Sequence, residues 1–269
     1  MDPVRSNFPE ANAGSQSANR TSNGMNGIFL VDKPQSWTSH DVVAKVRSML
    51  RRVQSNEFRV STKTKNLTPD SLLMTRSSKI RVGHTGTLDP AASGLLILVI
   101  GSYTKRAAEF SKLDKTYEAE ITLGATSSTG DTEGEISRQK TVDGRPGKAE
   151  IEEVLKELTG KIQQKPHPYS AVKVGGQRAY KLSRKGQAVD LEPREVTVYS
   201  LQSTVYRYPK LCITARVSSG TYIRSLAEDI GQKLGTGAYL SSLRRTKVGK
   251  FDLKNAINLQ DIEESAIIK

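Results

Sequence analysis

The chain of 269 residues is long enough for one large domain or two small ones with a substantial buried core. Its 41 lysine and arginine residues outnumber 28 aspartate and glutamate residues, and the resulting formal net charge of +13 favours a polyanionic partner. The longest uncharged apolar run, LLILVIG, has the length of a strand, so a membrane-spanning helix is excluded and no membrane partner is expected.

Charge alone does not separate a nucleic-acid partner from a merely solubilising surface. The single cysteine, Cys212, cannot form an internal disulfide or a structural zinc site. This cysteine content fits a reducing compartment and predicts a cytoplasmic protein, with an organelle left open.

The N-terminal residues 1–24 are rich in Asn, Ser, Ala and Gly and show neither helical nor strand periodicity. They lack the apolar stretch of a signal peptide and contain few arginines, which is atypical of a transit peptide. The pattern predicts a disordered tail followed by one domain over residues 25–269.

The first predicted elements are a strand, GIFLVDKP, and a helix, TSHDVVAKVRSMLRRV, that begins with a capping box of Thr38 and Asp41. From Ser55 to Lys79 the sequence is polar, basic and weakly periodic, which predicts a flexible insertion over 55–79. An inert loop is the favoured interpretation of this insertion. The alternative is an RNA contact built on four basic residues: Lys63, Lys65, Arg76 and Lys79.

The second half of the chain alternates strands and helices irregularly. The segment GHTGTLDPAASG leads into the strand LLILVIG, and KTYEAEITLG then alternates with Tyr117 on its apolar face. A helix, AEIEEVLKELTG, precedes the strands REVTVYSL and LCITARVS, and GTYIRSLAEDIGQKLG forms a helix with Arg224 near its start, pointing away from the apolar stripe. This order predicts an α+β fold with a central mixed, largely antiparallel sheet flanked by helices.

Several kinds of site find no support in the sequence. The three histidines, His40, His84 and His167, form neither HxH nor HxxxH, so no metal site is predicted. The chain contains no P-loop, no GxGxxG between a strand and a helix, and no GxSxG, so no cofactor is expected.

An isolated acid in the glycine-rich turn, Asp89, is the strongest candidate for chemistry. If Asp89 pairs with Arg224, the carboxylate stays ionised and is able to act as a nucleophile. Asp before Pro is also a common turn residue, Arg224 fits a surface helix, and Tyr117 fits an ordinary core. The residues taken one by one leave both interpretations open.

Seven blocks in order decide between them: DKPQSWTS, GHTGTLDPAASG, TKRAAEF, KTYEAEITLG, KPHPYSAVKVGGQRAYKLSRKG, SSGTYIRSLAEDIG and LRRTKVGKF. Together they resemble the TruB family of pseudouridine synthases over roughly Gly27 to Phe251. The resemblance implies isomerisation of uridine to pseudouridine in RNA, without a metal or a cofactor. Its substrate would be the T-loop uridine of tRNA, position 55 in tRNA numbering, modified by a monomer.

The resemblance also implies roles for individual residues. Asp89 matches the catalytic nucleophile, Tyr117 the aromatic that stacks on the target base, and Arg224 the partner of the carboxylate. His84 matches the residue that fills the space left by the flipped base, and Lys33 and Pro34 match positions that support the active-site loop. The RNA-binding candidates, Lys33 among them, are His84, Lys33, Lys105, Lys173, Arg178, Lys181, Tyr222 and Leu243.

The chain departs from the family pattern in three ways. Ser36 replaces the usual Gly of DKPxGxTS, Ala91 replaces the usual Leu of LDPLASG, and residues 55–79 are inserted. The short stretch after LRRTKVGKF is not expected to form the RNA-binding PUA domain that many relatives have, so the catalytic domain alone would hold RNA. Two alternatives stay open: a guide-RNA-dependent or ribosomal-RNA modifier, and a non-catalytic RNA-binding or RNA-folding protein.

Overall fold

A mixed sheet of eleven strands organises the computed structural model, which describes residues 19–21, 24–64, 80–138, 145–170, 172–187 and 189–261. The path through this sheet is β1-β2-β4-β13-β5-β12-β11-β8, with β3 on β4, β14 on β13 and β15 on β2, while β6–β7 and β9–β10 form separate pairs. The strands are β1 Asn19–Thr21, β2 Gly24–Lys33, β3 Val82–His84, β4 Ser93–Ile100, β5 Lys115–Leu123, β6 Ala125–Ser127, β7 Ile136–Arg138, β8 Gly160–Gln164, β9 Lys173–Val174, β10 Gln177–Arg178, β11 Arg194–Arg207, β12 Lys210–Val217, β13 Ala238–Val248, β14 Phe251–Asp252 and β15 Ile257–Asn258.

Helices flank this sheet, as the α+β prediction required. They are α1 Ser39–Thr64, α2 Ala107–Ser111, α3 Lys148–Glu157, α4 Ala179–Ser183 and α5 Ile223–Lys233, with 3-10 turns at Gly101–Arg106 and Leu253–Asn255. Among the described strands only the β13–β4 and β15–β2 pairs are parallel, so the sheet is mixed and largely antiparallel. The predicted fold class is therefore confirmed. Within these ranges no helix is both long and apolar enough to cross a membrane.

Three hydrophobic clusters among the described residues explain why these sequences form these elements. On β5 the alternating residues Tyr117, Ala119, Ile121 and Leu123 are buried against α3 and α5, as the period of two predicted. The run LLILVI does not alternate because β4 is buried on both faces: Leu96 and its even neighbours pack against α1, and the odd positions pack under β14.

The start of α1 follows the predicted capping box. The Thr38 amide donates to Asp41 Oδ2 at 2.9 Å, and the Asp41 amide donates to Thr38 Oγ1 at 3.1 Å. This reciprocal pair satisfies two amides that a helix start leaves without partners.

Parts of the predicted tail and of the predicted insertion are regular in the structure. Helix α1 continues to Thr64, so residues 55–64 of the predicted insertion 55–79 are helical, and neither Gly nor Pro interrupts the sequence there. Asn19–Thr21, within the predicted tail 1–24, pair with β2 through backbone bonds that need no apolar alternation. Residues 1–18, 22–23 and 65–79 lie outside the described residues.

A close approach at Gly94 gives the first testable expectation. Gly94 has φ +103°, and a Cβ there would collide with the Arg245 backbone oxygen and lie 2.7 Å from its nitrogen. Gly160 has a similar φ of +111° with nothing within 4 Å of an added Cβ. We expect Gly160→Ala to cost about 1–2 kcal/mol of backbone strain and Gly94→Ala to cost at least about 2 kcal/mol more.

Chemical denaturation of the two variants and the parent measures this difference directly. Equal free energies of unfolding for Gly94→Ala and Gly160→Ala would contradict the close packing of β4 against β13.

Candidate active site

The loop with Asp89 leaves the sheet at a fork, the point where one edge of β4 changes its partner from β13 to β3. At its start β4 pairs with β13, through Ser93 and Gly94, and at its end it pairs with β3, through the Val82–His84 strand. Between these pairings the edge of β4 is open to the loop. The chain thus presents residues 85–92 over the middle of the sheet, between the two halves of the domain.

Short hydrogen bonds fix the backbone of this loop. Ser39 Oγ accepts from the Leu88 amide at 2.9 Å and donates to the Leu88 carbonyl at 3.1 Å. The Thr85 amide donates to the Ile97 carbonyl at 3.1 Å, and the Ala92 amide donates to the Asp89 carbonyl at 3.1 Å. These bonds hold the turn on both sides of the acid.

Lys33 supports the loop from below. Its side chain is fully buried, and Nζ donates to the carbonyls of Pro34 at 2.9 Å, Trp37 at 2.6 Å and Pro90 at 3.5 Å. Burial lowers the pKa of this amine to about 8, although Asp89 opposes that shift. A buried amine that donates to three carbonyls fits the predicted support of the active-site loop, whereas RNA binding by Lys33 stays a prediction.

The residue after this lysine motif explains one departure from the family pattern. Ser36 has φ +67°, the left-handed region that favours glycine, and its amide donates to the Pro90 carbonyl at 2.8 Å. A glycine is the unstrained choice here, and Ser36 holds the same contact at some conformational cost.

Arg224 meets Asp89 from the first turn of α5. Its Nη2 lies 3.1 Å from Asp89 Oδ2, and its Nη1 lies 3.3 Å from Asp131 Oδ2. Nη1 and Nη2 also donate to the carbonyls of Thr129 at 3.2 Å and Tyr169 at 3.0 Å. The guanidinium is 8% exposed, whereas the Asp89 side chain is 44% exposed, so a caged cation faces an accessible carboxylate.

Asp131 is a site residue that the sequence did not reveal. It follows the hairpin strand β6, is buried, and accepts from Thr129 Oγ1 at 2.6 Å and from the Glu133 amide at 3.0 Å. In the sequence GDTEGE it looks like any acid in a glycine-rich turn, and its partner lies 93 positions downstream. No local pattern could have found it.

An apolar wall stands beside the acid. Tyr117 on β5 is 8% exposed and belongs to the same hydrophobic cluster as Leu88, Ala92 and Ile223, with Leu243 of β13 packed against it. Tyr222 precedes α5, where its backbone exchanges hydrogen bonds with the Gln164 side chain at 2.7 and 3.0 Å. The predicted aromatic and both predicted lining residues thus lie on elements that border Asp89.

His84 ends β3 directly before the loop. Its Nδ1 is buried and has no hydrogen-bond partner among the described residues. The pKa of this imidazole is lowered by burial and then by nearby His40, Arg245 and Arg178. The ring therefore favours its neutral form more strongly than a free imidazole does.

The remaining basic candidates fall into two groups. Arg178 and Lys181 are exposed on β10 and α4, in an arm whose backbone bonds to the carbonyls of Ser170 and Val172. Lys105 is exposed in the 3-10 turn that follows β4, beyond the end of that strand opposite to Asp89. The side chain of Lys173 lies outside the described residues.

A second buried histidine, His167, contributes to the cage around Arg224. Its Nδ1 accepts from the Tyr169 amide at 3.2 Å, its ring stacks on Tyr169 with centroids 5.8 Å apart, and its Nε2 lies 3.9 Å from Glu228 Oε1. Burial, and next Arg224, lower its pKa to about 4 from 6.5. The histidine is therefore neutral in the folded protein near pH 7, and it binds the amide of Tyr169, the residue whose carbonyl accepts from Arg224.

The lowered pKa of His167 predicts how the free energy of unfolding depends on pH. As pH falls below 6.5 the unfolded chain binds a proton at His167 before the folded chain does, so stability present above pH 6.5 is lost toward pH 4. We expect His167→Asn, which retains an acceptor but does not titrate, to reduce this loss by up to about 3 kcal/mol.

Urea denaturation of parent and variant at several pH values between 6.5 and 4 measures the difference in slope. Burial raises the pKa of Glu228, so protonation of this carboxylate increases the free energy of unfolding as pH falls. This contribution opposes that of His167 and is present in both proteins. Parallel pH profiles would show that the histidine is not neutral in the folded state.

The assembled groups suit attack by a single carboxylate in a pocket with an aromatic wall. One accessible acid, one caged guanidinium and a buried tyrosine ring lie together, and the described residues contain no group of three or more possible metal ligands. A carboxylate held in this way is oriented for nucleophilic or base chemistry on a planar ring.

Comparison with known sequences gives the same assignment. The TruB family pseudouridylate synthase N-terminal domain matches residues 73–223, and the tRNA pseudouridylate synthase B C-terminal domain matches residues 224–269. The chain is 39% identical to tRNA pseudouridine synthase B of Geobacillus thermodenitrificans, over 90% of this chain and 73% of that protein. It is 41% identical to the same enzyme of Thermobifida fusca, over 88% of this chain and 74% of that protein.

Solved structures resemble the fold with lower identity. A Cbf5–Nop10–Gar1 complex matches with TM-score 0.61 and 28% identity, over 88% of this chain and 54% of that chain. An H/ACA RNP bound to a substrate RNA containing 2′-deoxyuridine matches with TM-score 0.59 and 26% identity, over 90% of this chain and 56% of that chain. With more than half of its length matched by the family domain and about 40% identity to curated members, the chain belongs to the TruB family of pseudouridine synthases.

Proposed function

We propose that the chain converts uridine to pseudouridine in the T-loop of tRNA, at position 55, with Asp89 as the nucleophile. The observation that supports this most directly is the caged ion pair of Arg224 with the half-exposed Asp89, next to the buried ring of Tyr117. Identity of about 40% to tRNA pseudouridine synthase B from two organisms supports tRNA as the substrate.

The reaction balances without an added reagent. The bond between N1 of the base and C1′ of the ribose breaks, the base turns, and a bond forms between C5 and C1′. The hydrogen that leaves C5 is matched by the one gained at N1, so nothing is oxidised or reduced. One carboxylate that attacks and later leaves is sufficient, and Arg224 orients it through the 3.1 Å contact of Nη2 with Asp89 Oδ2.

The target base must leave its stack before Asp89 can reach it. Extrusion costs a few kcal/mol, which stacking on an aromatic partner offsets. Tyr117 supplies that partner in the pocket, and His84, neutral and at the start of the loop, fills the place the base leaves. The exposed cations Arg178 and Lys181 on the neighbouring arm supply phosphate contacts, as does Lys105 farther along the domain.

The guide-RNA-dependent alternative has a specific observation behind it, the likeness to a Cbf5–Nop10–Gar1 complex and to an H/ACA RNP at TM-scores of 0.61 and 0.59. Identity to those chains is 26–28%, whereas identity to the bacterial tRNA enzymes is 39–41%. A non-catalytic RNA-binding role does not account for an accessible carboxylate that a buried arginine holds in place.

Mapping of pseudouridine in unmodified tRNA transcripts tests the proposal. The purified protein, without a guide RNA, is expected to modify the T-loop uridine and to leave a transcript with cytidine at that position unmodified. Modification at another uridine would refute the T-loop assignment, and a requirement for an added RNA would favour the guided alternative.

A further inference from the structure

The guanidinium of Arg245 lies in the fork of β4, beneath the loop with Asp89. Arg245 is on β13, directly opposite Gly94 in the parallel pairing with β4. Its Nε donates to the Leu95 carbonyl at 2.8 Å, and its Nη2 donates to the Gly86 carbonyl at 3.1 Å. One planar side chain therefore holds both ends of the segment that contains Asp89.

These contacts occur where the backbone hydrogen bonds between β4 and its neighbouring strands are interrupted. β13 leaves the edge of β4 after Gly94, and β3 joins that edge only at Leu98. In the gap, Arg245 satisfies the Leu95 carbonyl and Thr85 satisfies the Ile97 carbonyl. The guanidinium thus takes the place of a strand at the point where the loop must leave the sheet.

The burial of this cation argues against a purely structural purpose. Arg245 is 2% exposed, and none of the ion pairs formed by the described residues includes it, whereas neighbouring Arg244 pairs with Asp32 at 2.6 Å. Burying a charge without a counter-charge is costly, and an apolar side chain would fill the same space at lower cost. What an apolar residue could not do is bind two carbonyls in fixed directions.

We propose that Arg245 is a positioning residue for the reaction, which fixes Asp89 relative to Arg224 by joining Gly86 to Leu95 beneath the loop. The inference rests on the proposed function, since it concerns the rate of that reaction. Arg245 contacts no substrate, because its guanidinium is enclosed by protein. A displacement of the carboxylate by about 1 Å is enough to reduce turnover by about 100-fold.

Kinetics of Arg245→Met, Arg245→Lys and the control Arg244→Met test the proposal. Arg245→Met removes both anchors and is expected to lower kcat at least about 50-fold with the Kd for tRNA within threefold. Arg245→Lys retains one point donor and is expected to lower kcat about tenfold, and it decides the matter if the Met variant does not fold. Arg244→Met, which alters the opposite face of β13, is expected to keep kcat within threefold.

A rescue experiment separates positioning from general stability. Methylguanidinium added to folded Arg245→Ala is expected to restore kcat at least tenfold, without effect on the parent. A normal kcat for Arg245→Lys, or an equal loss in Arg244→Met, would overturn the proposal. Absence of pseudouridine formation by the parent itself would instead refute the proposed function.

Discussion

Asp89→Asn is expected to lower the rate of pseudouridine formation by at least about 1000-fold, because it replaces the nucleophile by a neutral amide of the same shape. The Asp89 side chain is half exposed in a rigid turn, so the substitution leaves the loop anchors at Leu88 and Pro90 in place. We expect tRNA affinity to change by no more than several-fold.

Single-turnover rates at saturating tRNA, with Kd from filter binding, measure the two quantities separately. The matched control is Asp41→Asn, an exposed acid in the α1 capping box that is expected to retain the parent rate. The Asp89→Asn protein must be freshly prepared, since deamidation regenerates the acid. A fresh variant within tenfold of the parent would remove Asp89 from the role of nucleophile.

The elements with regular periods could be predicted from the sequence. The alternation in KTYEAEITLG placed Tyr117 on the buried face, and Thr38 with Asp41 marked the start of α1. These features depend on neighbours within a few positions, and hydrophobic periodicity records them directly. The end of α1 could not be predicted, because the sequence from Ser55 to Thr64 is polar and weakly periodic.

The residues that support the site could not be predicted from local sequence patterns. Asp131 and Arg245 contact partners far along the chain, which are Arg224 for the first and Gly86 with Leu95 for the second. His167 accepts from the nearby Tyr169 amide, and its Nε2 lies 3.9 Å from the distant Glu228. In the sequence they are a turn acid, a lone histidine and the second arginine of LRRT. Their roles follow from the tertiary structure. The sheet order places β13 beside β4, and Arg224 of α5 reaches the turn at Thr129.

Arg224→Ala is expected to reduce kcat by about 100-fold or more and to destabilise the protein, for two separable reasons. Asp89 loses its charge partner and its orientation, which affects turnover. Asp131, whose side chain is 8% exposed, becomes a buried carboxylate without a cation, which costs about 3 kcal/mol of stability. Arg224→Lys retains the charge but cannot serve four acceptors, so it is expected to fold better and still react slowly.

Combining Arg224→Ala with Asp131→Asn separates the two effects. Neutralising Asp131 removes the unpaired buried charge, so the double variant is expected to recover much of the lost unfolding free energy, but none of the lost kcat, because Asp89 still lacks its partner. Asp131→Asn alone retains an acceptor for Thr129 Oγ1 and is expected to slow turnover about tenfold through a looser guanidinium. Recovery of kcat in the double variant would mean that Arg224 serves only to balance Asp131, and that Asp89 reacts without it.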